Sequence, residues 1–85
     1  MRLTWVARGV ALRALGQEVE AEQSYKRALL LLPQSPDAWF NLGNLYRDSR
    51  RLVEARDAYA HAEQTAHSSV LRNRARTELQ QLKEP

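Results

Sequence analysis

A spacing of 34 residues constrains this chain more than any other feature. Advancing the sequence by 34 lays Trp5 on Trp39, Gly9 on Gly43, Ala21 on Ala55, Tyr25 on Tyr59 and Ala28 on Ala62. Pairing residues 2–35 with 36–69 gives nine identities, the other four being Arg13/Arg47, Val19/Val53, Glu20/Glu54 and Ser35/Ser69. A fixed period of this length marks a repeat protein, in which one supersecondary unit stacks on its copy. In the second copy, Trp39, Leu42, Gly43 and Tyr46 recur at i, i+3, i+4 and i+7 and share one helix face, while Ala55, Tyr59 and Ala62 share a face of the next helix. The unit is therefore two helices facing each other across a short turn.

In chain order, residues Arg2 to Leu15 predict a helix that is apolar all round, because Leu3, Trp5, Val6, Val10, Leu12 and Leu15 do not fit one stripe. Gly16 suits the left-handed residue that ends it. A second helix is expected over about Glu18 to Leu31, with Glu18, Glu20 and Glu22 near its positive end, and Pro33 stops it. Ser35 is a natural N-cap and Pro36 fits the first position of a third helix running to about Asp48. In the next turn Arg50 takes the place of Gly16, where a left-handed conformation costs on the order of 1 kcal/mol, so this turn is expected to be the looser one. Helix four follows from about Leu52 to Ala66, and a last helix from about Val70 to Lys83, with Ser69 standing where Ser35 stood. Beyond Ser69 the pattern fails: Asn73, Arg76, Thr77 and Gln80 replace tryptophan, leucine, glycine and tyrosine, while Leu71, Ala75, Leu79 and Leu82 form one apolar stripe. A lid with one apolar side fits that pattern.

Composition narrows the function. Eighty-five residues make one small domain, and 44% hydrophobic content is enough for a core. No apolar run approaches the roughly 18 to 20 residues that span a bilayer. The start lacks a secretory pattern, and the absence of cysteine removes disulfides and thiolate metal sites, so a soluble, cytoplasmic chain is expected. The net charge of +3 is a mild basic bias. Arg72, Arg74 and Arg76 differ by two, which fans them around a helix instead of aligning positive charge as a nucleic-acid surface needs. A solvated face accounts for those arginines, and an acidic partner is the sharper alternative. His61 and His67 are six apart, not the three or four that pair two imidazoles on a helix, and the serines have no base beside them. No enzyme, metal or cofactor is expected.

The series Trp39-x-x-Leu42-Gly43-x-x-Tyr46 followed by Ala55-x-x-x-Tyr59-x-x-Ala62 resembles the tetratricopeptide repeat, and the first copy departs from it at Arg8, where leucine is usual. The resemblance implies an all-α, right-handed α-α superhelix of about five antiparallel helices in a single domain over 1–85: repeat one at 2–35, repeat two at 36–69 and a capping helix at 70–85. It also implies a protein-interaction module that holds a peptide or partner segment in a concave groove. Carried over by position, the groove is Leu3, Val6, Val10 and Arg13, then Asp37, Phe40, Asn41, Asn44 and Arg47, with Leu71 and Arg74 from the lid. Asn41 and Asn44 are each able to donate and accept toward a ligand backbone. Of the clamp with which some members hold chaperone C-termini, only Asn41 is present; Val6, Val10, Leu71 and Ala75 occupy the other places, which favours a more apolar ligand. The alternative is an assembly element. Two repeats and a lid fall short of the three or so that usually make a stable array, so the apolar first helix would join upstream repeats or a second copy.

Overall fold

The computed structural model describes residues 4–83, in which five helices and no strand occur. They are α1 (Trp5–Ala14), α2 (Glu18–Leu31), α3 (Pro36–Asp48), α4 (Leu52–Thr65) and α5 (Ser69–Lys83). Leu3, assigned above to the groove, and Arg2, assigned to the first helix, lie outside the described residues. The body measures 38 × 27 × 18 Å, the short dimension being what two layers of helices occupy.

Each odd-numbered helix starts at a hydroxyl cap. Thr4 Oγ1 accepts from the Ala7 N–H at 3.0 Å, Ser35 Oγ from Ala38 at 3.3 Å and Ser68 Oγ from Leu71 at 3.2 Å. Two expectations are corrected here. The first helix begins at Trp5 because Thr4 captures its free N–H groups, and the cap of α5 is Ser68, one residue earlier than the period placed it.

The turns inside the hairpins are a third correction. Gly16 has φ +81° and its N–H donates to Arg13 O at 3.0 Å, while Gln17 N–H donates to Leu12 O at 2.9 Å. Arg50, at φ +63°, reproduces that closure, donating to Arg47 O at 3.1 Å while Arg51 N–H donates to Tyr46 O at 2.8 Å. Both are Schellman closures, so the second turn is as tight as the first. Arginine accepts a strained backbone there because two hydrogen bonds hold it.

Inside each hairpin a tyrosine lies on a glycine. A Cβ added at Gly9 would stand 2.4 Å from Tyr25 Cε1, and one at Gly43 would stand 2.7 Å from Tyr59 Cδ1. Both rings are fully buried, as are Ala21 and Ala55, whose small side chains let the helices approach. Phe40, Leu42, Leu45, Tyr46, Ala58, Ala62 and Ala75 complete the core, which centres on α3 and α4. In α1 only Gly9 is fully buried. The two hairpins are joined by Glu22 of α2, which accepts from Tyr46 Oη at 3.0 Å and pairs with Arg51 at 2.7 Å. Burial raises the Glu22 carboxyl, but hydrogen bonds from Arg51, Lys26 and Tyr46 outweigh it and hold the group at about 2.

Candidate partner-binding groove

The face that carries the sequence-predicted groove is crossed by a ladder of alternating charge. Arg13 of α1 meets Asp48 of α3 at 2.6 Å, Arg47 lies 3.6 Å from the same carboxylate, and Arg47 reaches Glu78 of α5 at 2.6 Å. Each rung is partly open to solvent, where an ion pair contributes well under 1 kcal/mol, so the ladder's main effect is to orient two guanidiniums across three helices. Asp48 and Glu78 were absent from the sequence-based assignment. Charge spacing was the available signal, since Asp48 follows Arg47 directly and Glu78 lies four residues after Arg74 on the same helix.

The other groove residues divide by what they already touch. Val10 is exposed and Val6 half-buried. Asn41 is half-buried and its Nδ2 donates to the Asp37 carbonyl at 2.8 Å, one turn back in α3, which leaves its carbonyl oxygen free. Asn44 Oδ1 accepts from Tyr59 Oη at 2.5 Å, which leaves its amide hydrogens. Burial pushes the Tyr59 phenol up to about 12, so it stays a donor through the neutral range. The expectation that each asparagine offers both functions outward is thus divided between them.

Phe40 sits differently from the rest. It is only 8% exposed, packs edge-on against Tyr59 with centroids 5.6 Å apart, and is covered by the Arg74 guanidinium 5.3 Å from its ring. It forms a floor beneath the face. Leu71 of α5 is half-buried against the core.

The two tryptophans occupy matching places with different neighbours. Trp39 stacks on His61, centroids 4.2 Å apart and planes at 18°, and its Nε1 donates to Pro33 O at 3.0 Å. Trp5 instead lies beneath Arg8 and Arg27, at 4.8 and 5.6 Å. Among the described residues no three histidine, cysteine, aspartate or glutamate side chains come together as a metal site would need, and no helix is long and apolar enough to cross a membrane.

Helical hairpins in register, each with a tyrosine on a glycine and with first helices side by side, define a helical repeat protein. Comparison with known families agrees: a model described as TPR repeat matches residues 9–49, and one described as tetratricopeptide repeat matches residues 36–66. Together they span about two thirds of the chain, which belongs to the tetratricopeptide repeat family. No curated protein matches the sequence. Tetratricopeptide repeats generally mediate protein–protein interactions and are typically non-catalytic.

Proposed function

We propose that the chain is a non-catalytic binding module that takes an extended peptide or partner segment along the face of α1, α3 and α5, through Val6, Val10, Arg13, Asn41, Asn44 and Arg47, with Phe40 as the floor. The observation that supports this most is the complementary state of the two asparagines. Three residues apart on α3, one keeps an acceptor and the other keeps donors, and an extended backbone presents a carbonyl and an N–H at comparable spacing. Val10 beside them gives apolar contact, and the balanced ladder avoids selecting a strongly charged ligand.

The geometry also decides which variants test it. Asn44→Ala would orphan the Tyr59 hydroxyl and Phe40→Ala would open the core, so neither separates binding from folding. Asn41→Ala and Val10→Ala do. Peptides selected from a displayed random library on the wild-type chain should bind each variant at least about fivefold more weakly by calorimetry, with melting unchanged. Equal affinity for all three proteins would remove the groove from the function.

A second reading, an assembly element joined through the first hairpin, draws support from α1, where only Gly9, turned toward α2, is buried and Val10 stands exposed.

A further inference from the structure

Between α1 and α2, on the end of the molecule away from α5, lies an open depression of about 440 Å³ lined by Trp5, Arg8, Leu12, Glu20, Ser24 and Arg27. Advanced by 34, those positions become Trp39, Leu42, Tyr46, Glu54, Ala58 and His61, all of which line a second depression, of about 360 Å³, between α3 and α4. The two are copies of one surface. The second already has a helix along it: Lys26 and Leu29 of α2 form its rim, and Glu22, one turn earlier, takes the Tyr46 hydroxyl and Arg51. The molecule thus displays how this surface is used, by a helix laid across it through residues at i, i+4 and i+7.

The copies differ in charge where that helix lands. The occupied wall carries Glu54 and Asp57 near Lys26 of the docked helix. In the open copy Gln23 replaces Asp57, Arg8 replaces Leu42 and Arg27 replaces His61, while Glu20 is kept. A helix with lysine at the Lys26 position would meet two arginines there. The contacts that hold Glu22 are missing as well, since Leu12 stands for Tyr46 and Gln17 for Arg51. A second copy of this chain stacked end to end would bring α5, whose exposed surface carries Arg72, against the same arginines. Like charges in desolvated contact disfavour that pairing.

We propose that the α1–α2 end is a docking surface for an acidic amphipathic helix, with an apolar side chain over Leu12 at the edge of the Trp5 ring and a carboxylate between Arg8 and Arg27. This surface is separate from the concave face and stands or falls apart from it.

The probe is a helix-stapled peptide of the α2 sequence, residues 18–31, compared with its Lys26→Glu version, each titrated against the whole chain by fluorescence anisotropy. The Glu version should bind at least tenfold more tightly, shift the Trp5 indole resonance and not that of Trp39, and lose at least tenfold on Arg8→Glu or Arg27→Glu. Both arginines are exposed and each loses only a surface stacking contact on Trp5, so the variants should stay folded with melting lowered by a few degrees at most. Equal binding of the two peptides, tighter binding of the parent, no binding of either, or affinity indifferent to both arginine reversals would overturn the proposal. So would a concentration-dependent dimer in sedimentation that Arg8→Glu abolishes, which would assign the surface to a second copy.

Discussion

The two hairpins share a plan and differ at one hydroxyl. Tyr59 donates to Asn44, but Val10 occupies the matching place in the first hairpin, and the Tyr25 hydroxyl is buried with no partner. The second hairpin is enclosed by α2 and α5, whereas α1 packs on α2 and α3 with no further helix beyond it among the described residues. A repeat interior is therefore built to a common pattern, while its polar completion depends on position in the stack.

The largest test of that contrast is steric. Alanine at Gly43 would drive a methyl into a fully buried ring held on both sides, at an expected cost on the order of 3 kcal/mol, well above the gain of about 1 kcal/mol from better helix propensity. Gly9→Ala meets Tyr25 at a shorter distance, yet α1 is free to move outward, so roughly half that loss is expected. Urea unfolding measures both. A Gly9 variant as damaged as the Gly43 variant would mean that the first hairpin is no looser than the second.

The hydroxyls give the next effect. Asn44→Val copies the first hairpin into the second, strands the Tyr59 hydroxyl and should cost about 2 kcal/mol. Val10→Asn does the reverse, supplies Tyr25 with an acceptor and should add about 1 kcal/mol. Thermal melts of the two single variants and the double swap should show opposite shifts. A destabilised Val10→Asn protein would mean that Tyr25 is not the orphan its geometry describes.

Acid reports on the seam between the hairpins. A carboxyl held at about 2 when folded and near 4.5 when unfolded contributes stability in full above pH 4.5 and loses it as pH falls toward 2. The contribution is on the order of 2 kcal/mol. Glu22→Gln should lower stability at neutral pH and flatten that part of the acid limb, read by urea midpoints at a series of pH values. An unchanged acid limb would remove Glu22 as the tie between hairpins.

Much of this architecture was legible in the residues, because the features that set it are local. Helix faces, the Ser35–Pro36 entry and the Gly16 exit all follow from residue type at fixed spacing. The groove was less legible. Whether Asn44 faces a ligand or a tyrosine depends on how far α4 leans toward α3, and whether Phe40 is a contact or a floor depends on Arg74 crossing from α5. Those are consequences of packing between helices, which a period along one helix does not encode. The cap of α5 slipped by a residue for a related reason: Ser68 and Ser69 have equal propensity, and only the chain's path out of α4 chooses between them.

The smallest test concerns the one position among the described residues where the sequence argues against its own backbone. Arg50 holds φ +63° in a turn that Gly16 makes at no steric cost. Arg50→Gly should relieve strain on the order of 1 kcal/mol, less what the more flexible unfolded chain takes back. Gly16→Ala should lose a similar amount, since a side chain there meets no neighbour and only the backbone objects. If a urea titration shows no gain in the glycine variant, the left-handed turn at Arg50 is held by something other than its two hydrogen bonds. The Arg51 guanidinium, paired with Glu22 and Glu54 and lying 4.5 Å over the Tyr46 ring, would then be the source. It is the residue that the turn delivers to the seam, and Arg51→Ala should separate the two causes by weakening the seam while leaving the turn's backbone intact.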